Sequence, residues 1–444
     1  MASVKHEFVL ETAKIKILKE EFLHYLWKHQ LLIPAELHTT EGEALRIVYP
    51  GVENSDSGPD FLAAKIMIGD TLWVGQVELH LKSSLWSQHG HQNDAAYGNV
   101  ILHVVYIHDQ DVLDCNGNTI PVLELHGKFR EELLHNYQLL LSSKAWIPCQ
   151  GLLNKCDKGL IAMWLNRLLV ERLERKSEEV EKFFEYFKND WDQTLYYLLA
   201  RNFGFKANAI PFALLAQRTP LKILQKLGDN AFAMEAILYG QSDLLPKECA
   251  DNYPQRLQNE YAYQRKKHSL EPLDAHLWKF FKLRPQNFPT IRISQFAKLI
   301  TQTPHLFRML TDAKSIEEIA QIFKLNASEY WGTHYVFGKA SAFSIKKLGA
   351  DAVNNIIINT ISPVIFVYGK QSLRPEYCEK AIDFLAMVPA ENNMVIRQWA
   401  QLGITAQNAG ESQALLELKK YYCTPKSCLQ CAIGSALLQN KRGI

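Results

Sequence analysis

An α/β (α+β) N-terminal domain built on a mixed sheet, residues 1–150, followed by a mostly α-helical domain, residues 151–444, is the architecture this 444-residue sequence predicts. Three observations predict it. Between residues 45 and 127, short segments rich in β-branched and aromatic residues are broken by Gly, Asp and Asn. From about residue 151 that pattern gives way to long apolar periodicities of helical spacing. The charge divides at the same place: residues 1–150 hold 11 Lys+Arg against 19 Asp+Glu, a net of −8, and the remainder 38 against 28, a net of +10.

The elements follow in order. Residues 12–30 carry Phe22, Leu23, Leu26 and Trp27 on one face, predicting a first amphipathic helix. Strands follow over LRIVYPG, FLAAKIMIGD, TLWVGQVELHLK, NVILHVVYIHD and IPVLELHG. Gly69–Asp70 joins the second and third of these as a hairpin. Val100–Ile107 is apolar on both faces apart from His103, the pattern of a central strand covered on both sides. Beyond residue 151, prolines at 211, 220, 246, 254, 272, 285, 289 and 304 cut the chain into helices with no repeat of fixed period. The apolar stretch AVNNIIINTISPVIFVYGK reads as core, because Pro363 interrupts it too early for a membrane span.

Composition narrows the function classes. Hydrophobic residues at 47% and charged residues at 22% exclude wholesale disorder and collagen-like repeats. No uninterrupted apolar run of about 18 residues occurs, and the N-terminus lacks a secretory h-region. The expectation is a cytoplasmic protein without a membrane partner, whose eight cysteines are reduced. GxxxxGK[ST], GxGxxG after a strand, GxSxG and HExxH are all missing, so ATP hydrolysis and dinucleotide redox chemistry lack their usual loops.

The chemistry concentrates in GPDF and the strand GQVELHLKSS. Alternation along a strand puts Gln76, Glu78, His80 and Lys82 on one face. A solvated sheet face produces the same pattern, but Asp60 tips the balance: it opens the preceding strand, and the hairpin carries its carboxylate toward Glu78. Two such carboxylates, with a ligating or basic group two residues further on, can hold Mg²⁺ or Mn²⁺ and activate a water. On the first helix Glu20 falls about 90° from the centre of the apolar face and Glu21 nearly opposite it, the positions of helix-surface glutamates. The loop WSQHGHQNDAAYGN adds His89, His91, Asp94 and Tyr97, as a second metal site or substrate contacts, or else as a turn that Asp94 caps. His103 reads as a buried, satisfied histidine facing the site. Eleven of the 15 histidines fall in residues 1–150, and imidazoles gathered with carboxylates suit a divalent cation, while the basic remainder suits a polyanion.

Pro59–Asp60, 17 intervening residues and Glu78-Leu79-His80 resemble the PD-(D/E)XK nuclease motif, with His80 where the lysine normally stands. The order of elements over residues 12–126 is similar to the α-β-β-β-α-β core of that superfamily. GPDF, VELH, SSLWSQHGHQNDAAY and VILHVV together resemble an uncharacterised bacterial family of similar length assigned to this nuclease-like fold. The resemblance implies a restriction-endonuclease-like domain with Asp60 and Glu78 as metal-binding carboxylates, and His80 or Lys82 as the group that orients or deprotonates water. Gln76 resembles a glutamine that some members place near this strand, and the glutamate that many members add from the first helix implies that Glu20, rather than Glu21, completes the shell. The implied function is metal-dependent hydrolysis of phosphodiester bonds in nucleic acid; the alternative is a non-catalytic nucleic-acid- or protein-binding module that keeps the fold. Basic segments at 265–268 and around Arg284 and Arg292 are candidate backbone contacts.

A second cluster closes the chain. Cys423, Cys428 and Cys431 have four and two intervening residues, and Cys149 or Cys156 offers a fourth sulfur for Zn²⁺ or a [4Fe–4S] cluster. The alternative is three ordinary reduced cysteines.

Overall fold

A computed structural model describes residues 18–440; residues 12–17 of the predicted first helix lie outside them. Helix α1 (Glu20–Lys28) buries Phe22, Leu23, Leu26 and Trp27, the face its periodicity marked out. Each such burial contributes roughly 1.5–3 kcal/mol. Strands β1 (Leu45–Tyr49), β2 (Val52–Glu53), β3 (Phe61–Ile68), β4 (Thr71–Lys82), β5 (Val100–Ile107) and β6 (Val122–Glu124) form one mixed sheet in the order β1-β3-β4-β5-β6, with β2 also paired to β3.

The hairpin forms where the sequence placed it: β3 and β4 pair antiparallel, Ile68 opposite Thr71 across Gly69–Asp70. β5 then runs parallel to β4, with Glu78 opposite His103 and His80 opposite Val105. Parallel neighbours need a crossover. Helix α2 (Leu85–His89) and two 3-10 turns, His91–Asn93 and Ala95–Tyr97, supply it. Gly75 is required where the crossover returns, since a Cβ there would lie 2.4 Å from Ile101 Cγ2 and 2.7 Å from the Asn99 carbonyl. Trp86 holds α2 down. It is fully buried among Val100, Val105, Val112, Ile120 and Val122, and its indole donates to the Leu113 carbonyl at 3.0 Å. Helix α3 (Glu131–Ser142) closes the other side of α1, Tyr137 stacking on Phe22 at 4.9 Å.

The chain divides into two compact units. The first comprises the described residues to Trp164 together with those from Lys419; the second is Leu165–Leu418. The expected division at residue 150 therefore shifts, and the C-terminal segment returns to the N-terminal unit. Helical periodicity reports that a segment is helical, but not which body it packs against. The C-terminal helix Ala432–Leu438 lies beside α1 and α3, with Tyr25 Oη 2.8 Å from Ser435 Oγ and Asn136 Nδ2 donating to the Leu438 carbonyl at 3.2 Å.

The second unit is helical apart from a small hairpin, His334–Val336 with Lys339–Ala340. Its stretch Ala350–Gln371 is a single helix long and apolar enough to cross a membrane by length and composition, and 72% of its apolar window is buried inside the protein. Pro363 does not end it. A π-helical turn at Ile357–Ile361 widens the helix just ahead of the proline, relieving the clash and the missing N–H that a regular turn would suffer. Arg292 is buried, its guanidinium spent on Gln295 and Asn287 and stacked on Phe205, so it is an internal strut rather than a backbone contact. Lys266 and Lys267, by contrast, are exposed at the end of the helix Asn252–His268.

Candidate functional site

The start of β3 and the middle of β4 clasp each other. The Asp60 amide donates to Glu78 Oε2 at 3.1 Å, and the Leu79 amide donates to Asp60 Oδ2 at 2.8 Å. Each strand thus positions the other's carboxylate. From α1, Glu20 Oε1 accepts the Leu81 amide at 3.3 Å and His24 Nε2 lies 3.4 Å from Asp60 Oδ2. Glu21 points elsewhere, accepting the Tyr137 hydroxyl at 2.8 Å.

Imidazoles occupy the other side of Glu78. Its Oε1 is 3.5 Å from His80 Nε2 and 3.5 Å from His91 Nε2. His80 Nε2 also lies 3.1 Å from His89 Nδ1, while its Nδ1 meets His103 Nε2 at 2.9 Å. The ligand atoms of His80, His89 and His91 all fall within 4.8 Å of one another, close enough to share one cation. His91 in turn stacks on Tyr97 at 3.8 Å. Burial grades across the trio, from His80 inside to His89 at the solvent, which leaves an open mouth.

Electrostatics follow from burial. Glu78 is 5% exposed, and desolvation reinforced by the Asp60 charge raises its pKa from 4.5 to about 8. Desolvation, then the neighbouring imidazoles, push His80 down to about 2; burial likewise takes His103 to about 3. Both rings are neutral at pH 7, the form that ligates metals. Burial lowers His24, but the hydrogen bond and charge of Asp60 outweigh it and the net shift is upward. Burial and the nearby carboxylates raise Tyr97 to about 12, so it stays a phenol.

A cation fits this arrangement on the evidence of the groups left over. Gln76 Oε1 and His91 Nε2 are both buried without a hydrogen-bond partner. Two carboxyl groups and three imidazoles around them form a mixed oxygen and nitrogen donor set for a divalent cation.

The model of a family described as a protein of unknown function, DUF2851, matches residues 20–394. The chain belongs to that family. No curated protein and no solved structure matches it.

In this DUF2851 member, Asp60, Glu78, His80 and Glu20 lie together, with Gln76 half-buried on the same strand, while His89 and His91, expected as a second metal site or as substrate contacts, fall at this same centre. Asp94 caps the turn Ala95–Tyr97 by accepting the Ala96 amide at 2.9 Å. Lys82 stands apart: it is exposed at the end of β4, where Asp109 is its charged neighbour, and among the described residues no ion pair joins it to Asp60 or Glu78. His24 also joins the centre, and the sequence reading left it out: it stands four residues after Glu20, the helical spacing that places both on one face, and that spacing was the signal available. His103 faces the site as expected and meets His80 Nδ1 through its Nε2, but it is not satisfied, since its Nδ1 is buried without a hydrogen-bond partner.

Proposed function

We propose that this protein is a divalent-metal-dependent phosphodiesterase acting on nucleic acid, built on a PD-(D/E)XK nuclease-like core. The observation that carries the reading is Glu78, joined on one side to Asp60 and on the other to His80 and His91. The order α1, β1, β3, β4, α2, β5 supports the nuclease-like core, since it is the α-β-β-β-α-β succession with the carboxylates at the hairpin. The net charge of +10 over residues 151–444 supports a polyanionic substrate.

The departure from the motif acquires a physical sense here. A neutral imidazole at position 80 cannot replace the permanent charge of a lysine, but it can bind a cation that brings more charge than the lysine had. Metal at this centre would acidify the attacking water and offset charge developing on the phosphate. Asp60, Glu78, His80, His89 and His91 would hold it, Glu20 and His24 would fix Asp60 and β4 in place, and His103 would set the His80 ring.

The test is calorimetric titration of Mn²⁺, Zn²⁺ and Mg²⁺ into metal-free protein, wild type beside Asp60→Ala/Glu78→Ala, followed by cleavage assays on single- and double-stranded DNA and on RNA. Binding heats confined to the wild type, with metal-dependent cleavage lost in the variant, support the proposal. Flat titrations for both proteins, or cleavage that survives the double substitution, refute it.

A further inference from the structure

The second unit holds a cavity that the phosphodiesterase reading does not use. It encloses about 540 Å³, with walls from the helices Trp191–Phe203, Ala231–Gln241 and Pro289–Gln302. The sequence opens it at one end. Pro304 drives Thr303 out of helical geometry, to φ −130° and ψ 69°, and the chain turns before the next helix, Leu306–Asp312, begins. Phe307 stacks on Trp191 at 5.3 Å, which ties that helix to Trp191–Phe203 and braces the walls.

Floor and rim differ in chemistry. Leu195, Tyr196, Met234, Ile300 and Leu306 line the floor, each no more than 8% exposed. The hydroxyls at that depth are already spent. Tyr196 donates to the Thr219 carbonyl at 2.9 Å, Thr301 to Ala297 at 2.8 Å and Thr303 to Leu299 at 2.7 Å. A polar group pushed in that far would lose its water and gain no partner. The ionisable groups that line the cavity, Asp192, Asp229 and His305, are exposed and form its rim.

The charge of that rim runs against the charge of the region around it. Residues 151–444 carry a net +10, yet no Lys or Arg lines this cavity. Lys222 pairs with Asp190 at 4.0 Å, and among the described residues neither Asp192 nor Asp229 has an ion pair. A concave, mostly apolar space of roughly 300–1,000 Å³ with a few polar groups at fixed places is the form that small-molecule sites take.

We propose that this cavity binds an amphiphilic amine, its aliphatic or aromatic body in the floor and its ammonium at the rim beside Asp192 and Asp229. The apolar body supplies most of the affinity, and the exposed ion pair supplies selectivity. An anion meets two carboxylates at the rim, and a ligand with a polar body meets a floor without partners.

The test is calorimetric titration of phenylbutylamine, phenylbutanol and phenylbutyrate, one body with three head groups, into the full chain in chelator. The expected order of affinity is amine, alcohol, carboxylate, with about tenfold between the ends. Asp192→Asn/Asp229→Asn should cancel the amine's advantage and leave the Kd of the alcohol unchanged. Met234→Trp should abolish binding of all three by filling the floor, while Asp60→Ala/Glu78→Ala should change nothing, because that centre lies in the first unit. In wild type the amine should slow amide exchange of peptides covering residues 191–203 and 300–307. No binding of any probe, a carboxylate as tight as the amine, an advantage that survives the double rim substitution, or protection confined to the first unit overturns the proposal. The wild-type order of affinities and the place of protection decide it even where a variant fails to fold.

Discussion

Replacing Glu78 with Gln should stabilise the metal-free protein, and the size of the gain follows from its surroundings. Glu78 is buried beside Asp60, and its carboxyl is raised from 4.5 to about 8. An acid whose folded pKa lies above its unfolded one costs nothing while both states are protonated. The cost begins as pH passes the unfolded value and is complete once pH exceeds the folded one. Integrated between those limits it amounts to under ~1 kcal/mol at pH 5 and ~3 kcal/mol at pH 7. Glutamine removes the charge, keeps the shape and still accepts the Asp60 amide that Glu78 Oε2 accepts at 3.1 Å. In chelator, amide hydrogen exchange of peptides from β3, β4 and β5 should show Glu78→Gln opening less readily than wild type at pH 7, with the advantage shrinking toward pH 5. Adding Mn²⁺ should narrow or reverse the difference, since a ligand at a hundred times its Kd stabilises wild type by about 2.7 kcal/mol. An advantage independent of pH, or a variant less stable at pH 7, would show that Glu78 does not bear a buried, disfavoured charge.

Three further expectations are independent of that one. Mn²⁺ binding at pH 7 should release about one proton, because Glu78 stays protonated until about pH 8 in the metal-free site, and affinity should rise toward that pH and then level; equal heats in Hepes and Tris would contradict it. His103→Gln should weaken the metal 10- to 100-fold by freeing the His80 ring, with the exchange pattern of β4 and β5 unchanged; an unaltered titration would remove His103 from any positioning role. In the second unit Glu417 is fully buried, paired with Arg172 at 3.2 Å and with Arg175, so Glu417→Ala should cost about 3–5 kcal/mol by urea unfolding, while a change near zero would mean water reaches the site.

What the sequence made legible was local. Period-two alternation placed Glu78 and His80 on one face, the Gly69–Asp70 turn set the hairpin, and the hairpin brought Asp60 to the Leu79 amide. Each inference needed fewer than about twenty consecutive residues. Lys82 showed the limit of the same logic: it shares the face by periodicity, but β4 ends there and its side chain opens to solvent. That His103 faces the site was legible, but its pairing with His80 follows from the parallel register of β5 on β4, a non-local choice that no periodicity reports. The return of the C-terminal segment was hidden for the same reason. Its helix, AIGSALL, is short and apolar in composition, and only the packing of Tyr25 and Asn136 on it reveals its partner.

Helix α1 ties the carboxylate centre to the end of the described chain. Glu20 reaches β4 through the Leu81 amide, while its neighbour Glu21 accepts the Tyr137 hydroxyl. Tyr25, one turn along, is held by Ser435 and Gln439 across a separation of 410 residues in the Ser435 contact. Helix α1 is nine residues long, too short to be stable unless packed. Its position, and so the reach of Glu20 and His24 toward β4 and Asp60, depends on the C-terminal helix Ala432–Leu438 that Tyr25 grips. Tyr25→Phe, which removes the hydroxyl contacts to Ser435 and Gln439, should therefore weaken metal binding at Asp60 and Glu78 without touching a ligand, and an unaltered titration would show that the carboxylate centre holds its geometry without that contact.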